Sequence, residues 1–163
     1  MRPPLPWVFL ALRLAIGGLL IFAGVLKAHD GAAATATTIA GYRILPPAIV
    51  APLGFGLPYF EILLGGYLAL GLFMRVAAWI ATVQFSIFAI AVASLVLRNL
   101  PADCGCFGSS IPTPPSWGHV AGDVALALAT LVLAVRGPGA FALDGMLRGG
   151  GDDGVPAEAS QPL

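Results

Sequence analysis

Four long apolar stretches, separated by short polar or proline-rich segments, dominate the chain. They run from about Trp7 to Val25, Ala48 to Phe73, Val76 to Leu97 and Trp117 to Val135. Each reaches or nearly reaches the roughly 20 residues a helix needs to cross a bilayer. Backbone groups in lipid must bond internally, so helices are the natural form. The pattern predicts an all-α membrane protein, a four-transmembrane-helix bundle. The first stretch is read as a span and not as a cleaved leader. Its apolar run exceeds the usual length of a leader core, and Arg13 interrupts it.

The segments between the stretches refine this picture. The first helix should end near Lys27-Ala28-His29-Asp30, with a loop from there to Pro47. Pro46 and Pro47 suit the opening turn of the second helix. Pro52 and Pro58 lie inside it, and a kink is expected near Pro58. Its glycines let helices approach closely. Met74-Arg75 reads as a very short turn, making the second and third helices an antiparallel hairpin. Pro112, Pro114 and Pro115 keep the segment before Trp117 out of helix, and Trp117 is placed at an interfacial depth. Residues 1–136 form the expected membrane domain. Residues 137–163, rich in glycine, are expected to be a disordered cytoplasmic tail.

Charge adds compartment and excludes one class of partner. The chain is 58% hydrophobic and 10% charged, with 8 Lys plus Arg against 8 Asp plus Glu. It lacks the basic footprint of a nucleic-acid binder. A soluble domain would carry about a quarter charged residues. Arg2, Arg75, Arg136 and Arg148 fall on one side of the membrane, and Lys27, Arg43 and Arg98 on the other. The bias favours both termini in the cytoplasm. That puts the loop before the fourth helix outside the cytoplasmic membrane, where disulfides persist.

Few ionisable residues enter the apolar stretches, where each is costly. By helical rise, Arg13 lies about 9 Å from the inner end, Gln84 about 12 Å and Glu61 about 18 Å. One layer containing all three is expected. The structural reading is an Arg13–Glu61 pair with Gln84 adding hydrogen bonds, and the functional one is a proton- or quinone-coupling site. The structural reading is favoured, since buried ions are normally paired whether or not they react. A second layer gathers at the other face: Lys27, His29, Asp30, Asp103, His119, Asp123 and both cysteines. Lys27 either lowers a thiol pKa there or merely snorkels to the headgroups.

Both cysteines stand in Asp103-Cys104-Gly105-Cys106-Phe107-Gly108. Cα atoms two residues apart lie at most about 7.2 Å apart. A disulfide needs about 4.4–6.8 Å, so a bent chain can close one. Gly105 permits such a bend. The ring would be tight, labile and suited to exchange, and it would close too short a loop to be a useful staple. Three other readings stay open: unreactive buried thiols, a metal set with His29 and His119, and a bridge that only holds the loop shut.

Several segments together resemble a known family. They are Gly-Val-Leu-Lys (24–27), Tyr-Arg-Ile-Leu-Pro (42–46), Pro58-Tyr59-Phe60-Glu61 and the Cys-Gly-Cys-Phe-Gly run 104–108. The chain is similar to the MauE methylamine-utilisation proteins, within the wider DoxX-like superfamily, over about residues 10 to 136. The resemblance implies an integral cytoplasmic-membrane protein linked to maturation of the disulfide-rich small subunit of methylamine dehydrogenase. In that family pattern an Arg precedes the acid at the start of the fourth helix. Here Gly122 precedes Asp123, leaving Lys27 as the nearest cation.

Two functions follow. In the first, Cys104 and Cys106 are the catalytic pair of a thiol–disulfide protein, supported by Lys27, Asp103 and Asp123. They exchange with a thioredoxin-like or disulfide-rich secreted partner and pass electrons to quinone. In the second, the chain is a scaffold or small-molecule carrier with a cleft at Glu61. No resident metal is expected.

Overall fold

The computed structural model describes residues 5–136. The expected tail falls outside the described residues. The described chain is all helix and loop: α1 (Leu5–Asp30), α2 (Ala32–Gly41), α3 (Pro47–Leu70), α4 (Met74–Leu97) and α5 (Trp117–Arg136). Four of these are long and apolar enough to cross a membrane: α1 from Trp7, α3, α4 and α5. The protein is a multi-pass membrane protein whose large apolar side chains, such as Phe55, Leu63 and Ile90, lie on the bundle's exterior.

Helix α2 corrects the sequence expectation of a loop between Asp30 and Pro47. Its sequence, AAATATTIAG, is built on alanine, the best helix former. Gly31, at φ +89°, breaks the chain between α1 and α2. Helix α2 then packs on α3, where Gly54 sits beneath Ala32 and Ala36. A Cβ on Gly54 would lie 2.7 Å from the Ala32 carbonyl oxygen.

Helix α3 starts at Pro47 as expected, with proline in the first turn. It runs unbroken through Pro52 and Pro58. It ends at Gly71 in the left-handed conformation, φ +70°. There the Leu72 amide donates to the Tyr67 carbonyl at 3.0 Å, a Schellman closure. The turn to α4 is therefore Gly71-Leu72-Phe73, and Met74 is already a buried helical residue. The expected turn at Met74-Arg75 comes one step too late. Ser116 caps α5, accepting from the His119 amide at 3.4 Å.

Two helix pairs carry most of the packing, α1 on α3 and α4 on α5. In the first pair, backbones touch. A Cβ on Gly24 would lie 2.6 Å from the Pro58 carbonyl oxygen, and one on Gly65 2.5 Å from that of Gly17. In the second, the buried Thr130 hydroxyl bonds Thr82 Oγ1 at 3.0 Å. Ile16, Leu20, Leu68, Ala78, Phe85 and Leu133 join the pairs through a common core. The α3–α4 contact is slight by comparison, and a cleft opens between these two helices.

Candidate functional site

The α1–α3 and α4–α5 connections meet at one end of the bundle, and the cysteine loop is held between them. Three bundle side chains hold its backbone. The Lys27 ammonium, near the end of α1, donates to the Cys106 carbonyl at 2.8 Å. The Tyr42 hydroxyl, just after α2, donates to the Cys104 carbonyl. Asp30 caps the following turn, accepting from the Ser109 and Ser110 amides at 2.6 and 2.9 Å and from both serine hydroxyls. The loop also closes on itself, the Cys104 amide donating to the Thr113 carbonyl at 2.9 Å.

Two glycines allow this fit. Gly105 has φ +66°, and a Cβ there would lie 2.4 Å from Thr38 Cγ2. Gly108 has φ +73°, and a Cβ would lie 2.5 Å from Asp30 Oδ2. Both positions need the left-handed backbone that glycine adopts without penalty. Phe107 packs its ring 6.1 Å from that of Phe22 on α1.

The bend brings the Cys104 and Cys106 sulfurs to 3.3 Å as free thiols. A disulfide is about 2.05 Å long, so a short approach closes the bond. Their surroundings differ. Cys104 is buried, with its sulfur 2.9 Å from Thr113 Oγ1, whereas Cys106 is partly exposed. The hydrogen bond between the two sulfurs pulls Cys104 down to about 5, with burial opposing and the Thr113 hydroxyl assisting. The same bond, aided by burial, pushes Cys106 up. Of the two sulfurs, Cys104 is the one shifted toward the thiolate. Burial also raises the Tyr42 phenol, which stays protonated as a donor.

Lys27 is 3% exposed, so it does not snorkel. Its ammonium also bonds both Glu61 oxygens, at 2.9 and 2.8 Å. Gln84 Nε2 donates to Glu61 Oε1 at 3.3 Å. The expected Arg13–Glu61 pair is thereby corrected: Glu61 pairs with Lys27. Arg13 is buried fourteen positions earlier on α1, about 21 Å along the helix by its rise. The two expected polar layers are partly one, since Lys27 links Glu61 and Gln84 to the cysteine loop. Because Glu61 neutralises Lys27, this cation acts on the loop mainly by holding a carbonyl. Glu61 itself is fully buried with both oxygens occupied, which leaves no open carboxylate for a carrier site.

Asp123, in the second turn of α5, is buried, and its Oδ2 has no hydrogen-bond partner among the described residues. Its carboxyl group lies within electrostatic range of both cysteines. Asp103 is exposed at the loop's rim. A Cβ on Gly122 would meet no atom within 4 Å. His29 is exposed, with its ring Nδ1 3.9 Å from Asp30, and His119 Nδ1 bonds Ser116 at 2.8 Å. Among the described residues no group of three or more His, Cys, Asp or Glu could hold a metal, so the Cys–His set is not assembled.

Three positioning groups escaped the sequence reading: Tyr42, Asp30 as a cap, and Thr113. Tyr42 was visible only as part of a motif, and Thr113 carried no signal beyond being a hydroxyl near a thiol.

The family model described as Methylamine utilisation protein MauE matches residues 5–136. The chain belongs to the MauE family. The match covers every described helix, including the α2 segment and the cysteine loop. No curated protein and no solved structure gives a match. This MauE-family chain is thus a multi-span membrane protein with a thiol pair pinned at one end of its bundle.

Proposed function

We propose that this protein is a membrane thiol–disulfide exchange catalyst with Cys104 and Cys106 as its reacting pair. The observation that carries the reading is the asymmetric sulfur pair: 3.3 Å apart, with Cys104 buried beside a hydroxyl and Cys106 partly exposed. In the oxidised protein, a partner thiolate attacks Cys106, the accessible sulfur. The Cys104–Cys106 bond breaks and Cys104 leaves as a thiolate, the better leaving group because its pKa is low. The partner's second thiolate then attacks the mixed disulfide at the partner's sulfur, and Cys106 leaves. The partner gains a disulfide, and the protein gains two electrons and holds a dithiol. Lys27 and Tyr42 position the pair by its carbonyls. Asp123 takes up a proton beside it. Asp103, at the rim, faces the incoming partner.

The loop end is read as extracytoplasmic, in the cytoplasmic membrane. With Lys27 neutralised by Glu61, that end keeps Arg43 and Arg98, and the bias of basic residues along the sequence favours the opposite end as cytoplasmic. The described residues act as one membrane domain of DoxX-like type. The partner is a secreted disulfide protein or a thioredoxin-like carrier. The family's link to methylamine utilisation points to the small subunit of methylamine dehydrogenase. The test uses oxidised protein in nanodiscs mixed with a reduced thioredoxin-like probe, then acid-quenched and alkylated. Wild type should oxidise the probe, and Cys104→Ser and Cys106→Ser should not. Oxidation by either variant at the wild-type rate would sink the reading.

A further inference from the structure

Exchange leaves the pair reduced, so each turnover needs an oxidant. A cavity of about 1060 Å³ lies between α3 and α4, roofed by α2 and the cysteine loop. Cys104 and Cys106 both line its upper end. Its walls are apolar, and wall residues such as Phe60, Val83 and Ile87 are exposed on the bundle's flank. That flank faces the bilayer, so the cavity is open to lipid-soluble molecules. The volume lies just above the usual range for small-molecule sites, about 300–1,000 Å³.

Several polar residues interrupt the apolar lining, Lys27, Thr35, Tyr42 and Gln84 among them. Gln84 is 6% exposed and lines the cavity, and its Oε1 has no hydrogen-bond partner among the described residues. A buried unpaired acceptor is costly, so a ligand that donates a hydrogen bond is favoured there. An acyl chain offers no such donor. A small ring with a hydroxyl does.

We propose that this cleft binds a lipid-soluble quinone that re-oxidises Cys104 and Cys106, an inference that rests on the thiol–disulfide reading of the same pair. The quinone ring lies between Gln84 and the sulfurs, with its apolar tail between α3 and α4. The Cys106 S–H bond breaks, one S–S bond forms with the Cys104 thiolate, and water at the loop supplies the second proton. Two electrons and two protons pass to the quinone, whose carbonyl oxygens become the hydroxyls of a quinol. Gln84 Oε1 accepts from one of these hydroxyls. The product is bound better by the unpaired acceptor than the substrate is, which favours the reduced ring in the site.

Gly56 lines the cleft, and a Cβ there meets no atom within 4 Å, so Gly56→Phe can fill it without displacing backbone. Val83→Trp narrows it from the opposite wall and covers the case in which the first variant misfolds. Reduced protein in phospholipid nanodiscs is given decylubiquinone without oxygen, or oxidised glutathione instead. Quinol is read by absorbance and the pair by alkylation and intact mass. Wild type should form one quinol per bridge closed. The two cleft variants should slow quinol formation by about tenfold or more, a loss of about 1.4 kcal/mol of barrier stabilisation. Oxidised glutathione should close the bridge equally fast in all three. If glutathione closes it and decylubiquinone does not, the quinone site is overturned and exchange stands. If the cleft variants reduce quinone at the wild-type rate, the cleft holds only phospholipid and the proposal is overturned. If neither oxidant closes the bridge, both readings fall.

Discussion

At the residue scale, the Cys104–Cys106 contact divides one charge unequally between two sulfurs. A depressed thiol pKa means the thiolate is present above about 5 and lost as pH falls through that value. Thiolate absorbance of the reduced protein should therefore titrate near pH 5, below the ordinary cysteine value of about 8.5. In Cys106→Ala the leading hydrogen bond is gone, and the midpoint should climb. An unchanged midpoint would remove the basis for naming Cys104 the leaving group. The Lys27–Glu61 pair makes a second prediction. Both side chains are buried, and losing one partner of such a pair costs about 3–5 kcal/mol. Lys27→Met should lower unfolding stability by that order in detergent, and adding Glu61→Leu should restore much of it. The double variant should still lose exchange rate, because the Cys106 carbonyl no longer has its donor. Full activity there would show that Lys27 serves stability alone. The cysteine pair and its need for a bent glycine were legible in the sequence because they are local. The partner of Glu61 was not. Depths counted along separate helices assume a common plane, whereas packing of Gly24 on Pro58 sets the α1–α3 offset and brings Lys27 level with Glu61.

At the element scale, the α1–α3 seam depends on glycine where backbones touch and is indifferent to it elsewhere. Gly24→Val and Gly65→Ala should each lose about 1–3 kcal/mol, the usual cost of overpacking. Gly18→Ala and Gly66→Ala, where a Cβ meets nothing within 4 Å, should be neutral or slightly stabilising. Unfolding in a mixed detergent series would separate the two groups, and equal losses would refute close backbone packing. The spans themselves were readable, since about 20 apolar residues in a row have one economical form in lipid. Helix α2 was not. Ten mostly small residues with little apolar contrast give no periodic signal, and this helix is held by its fit over Gly54.

At the scale of the whole molecule, four spans, a pinned loop and an apolar cleft meet at the two sulfurs. Gly105 links these parts, since it touches α2, lines the cleft and separates the cysteines. Gly105→Ala should slow exchange by about tenfold or more, because its Cβ would drive the loop off Thr38. The α1–α5 architecture should persist in that variant, as judged by its helical circular dichroism. The most direct measurement is the redox state of the pair in growing cells. Acid quench, alkylation before and after reduction, and intact mass of the purified chain would report it. The account predicts a substantial fraction carrying the Cys104–Cys106 bridge, converted to the dithiol when a reduced partner is added. Two cysteines that are always fully alkylated, with and without oxidant, would contradict it.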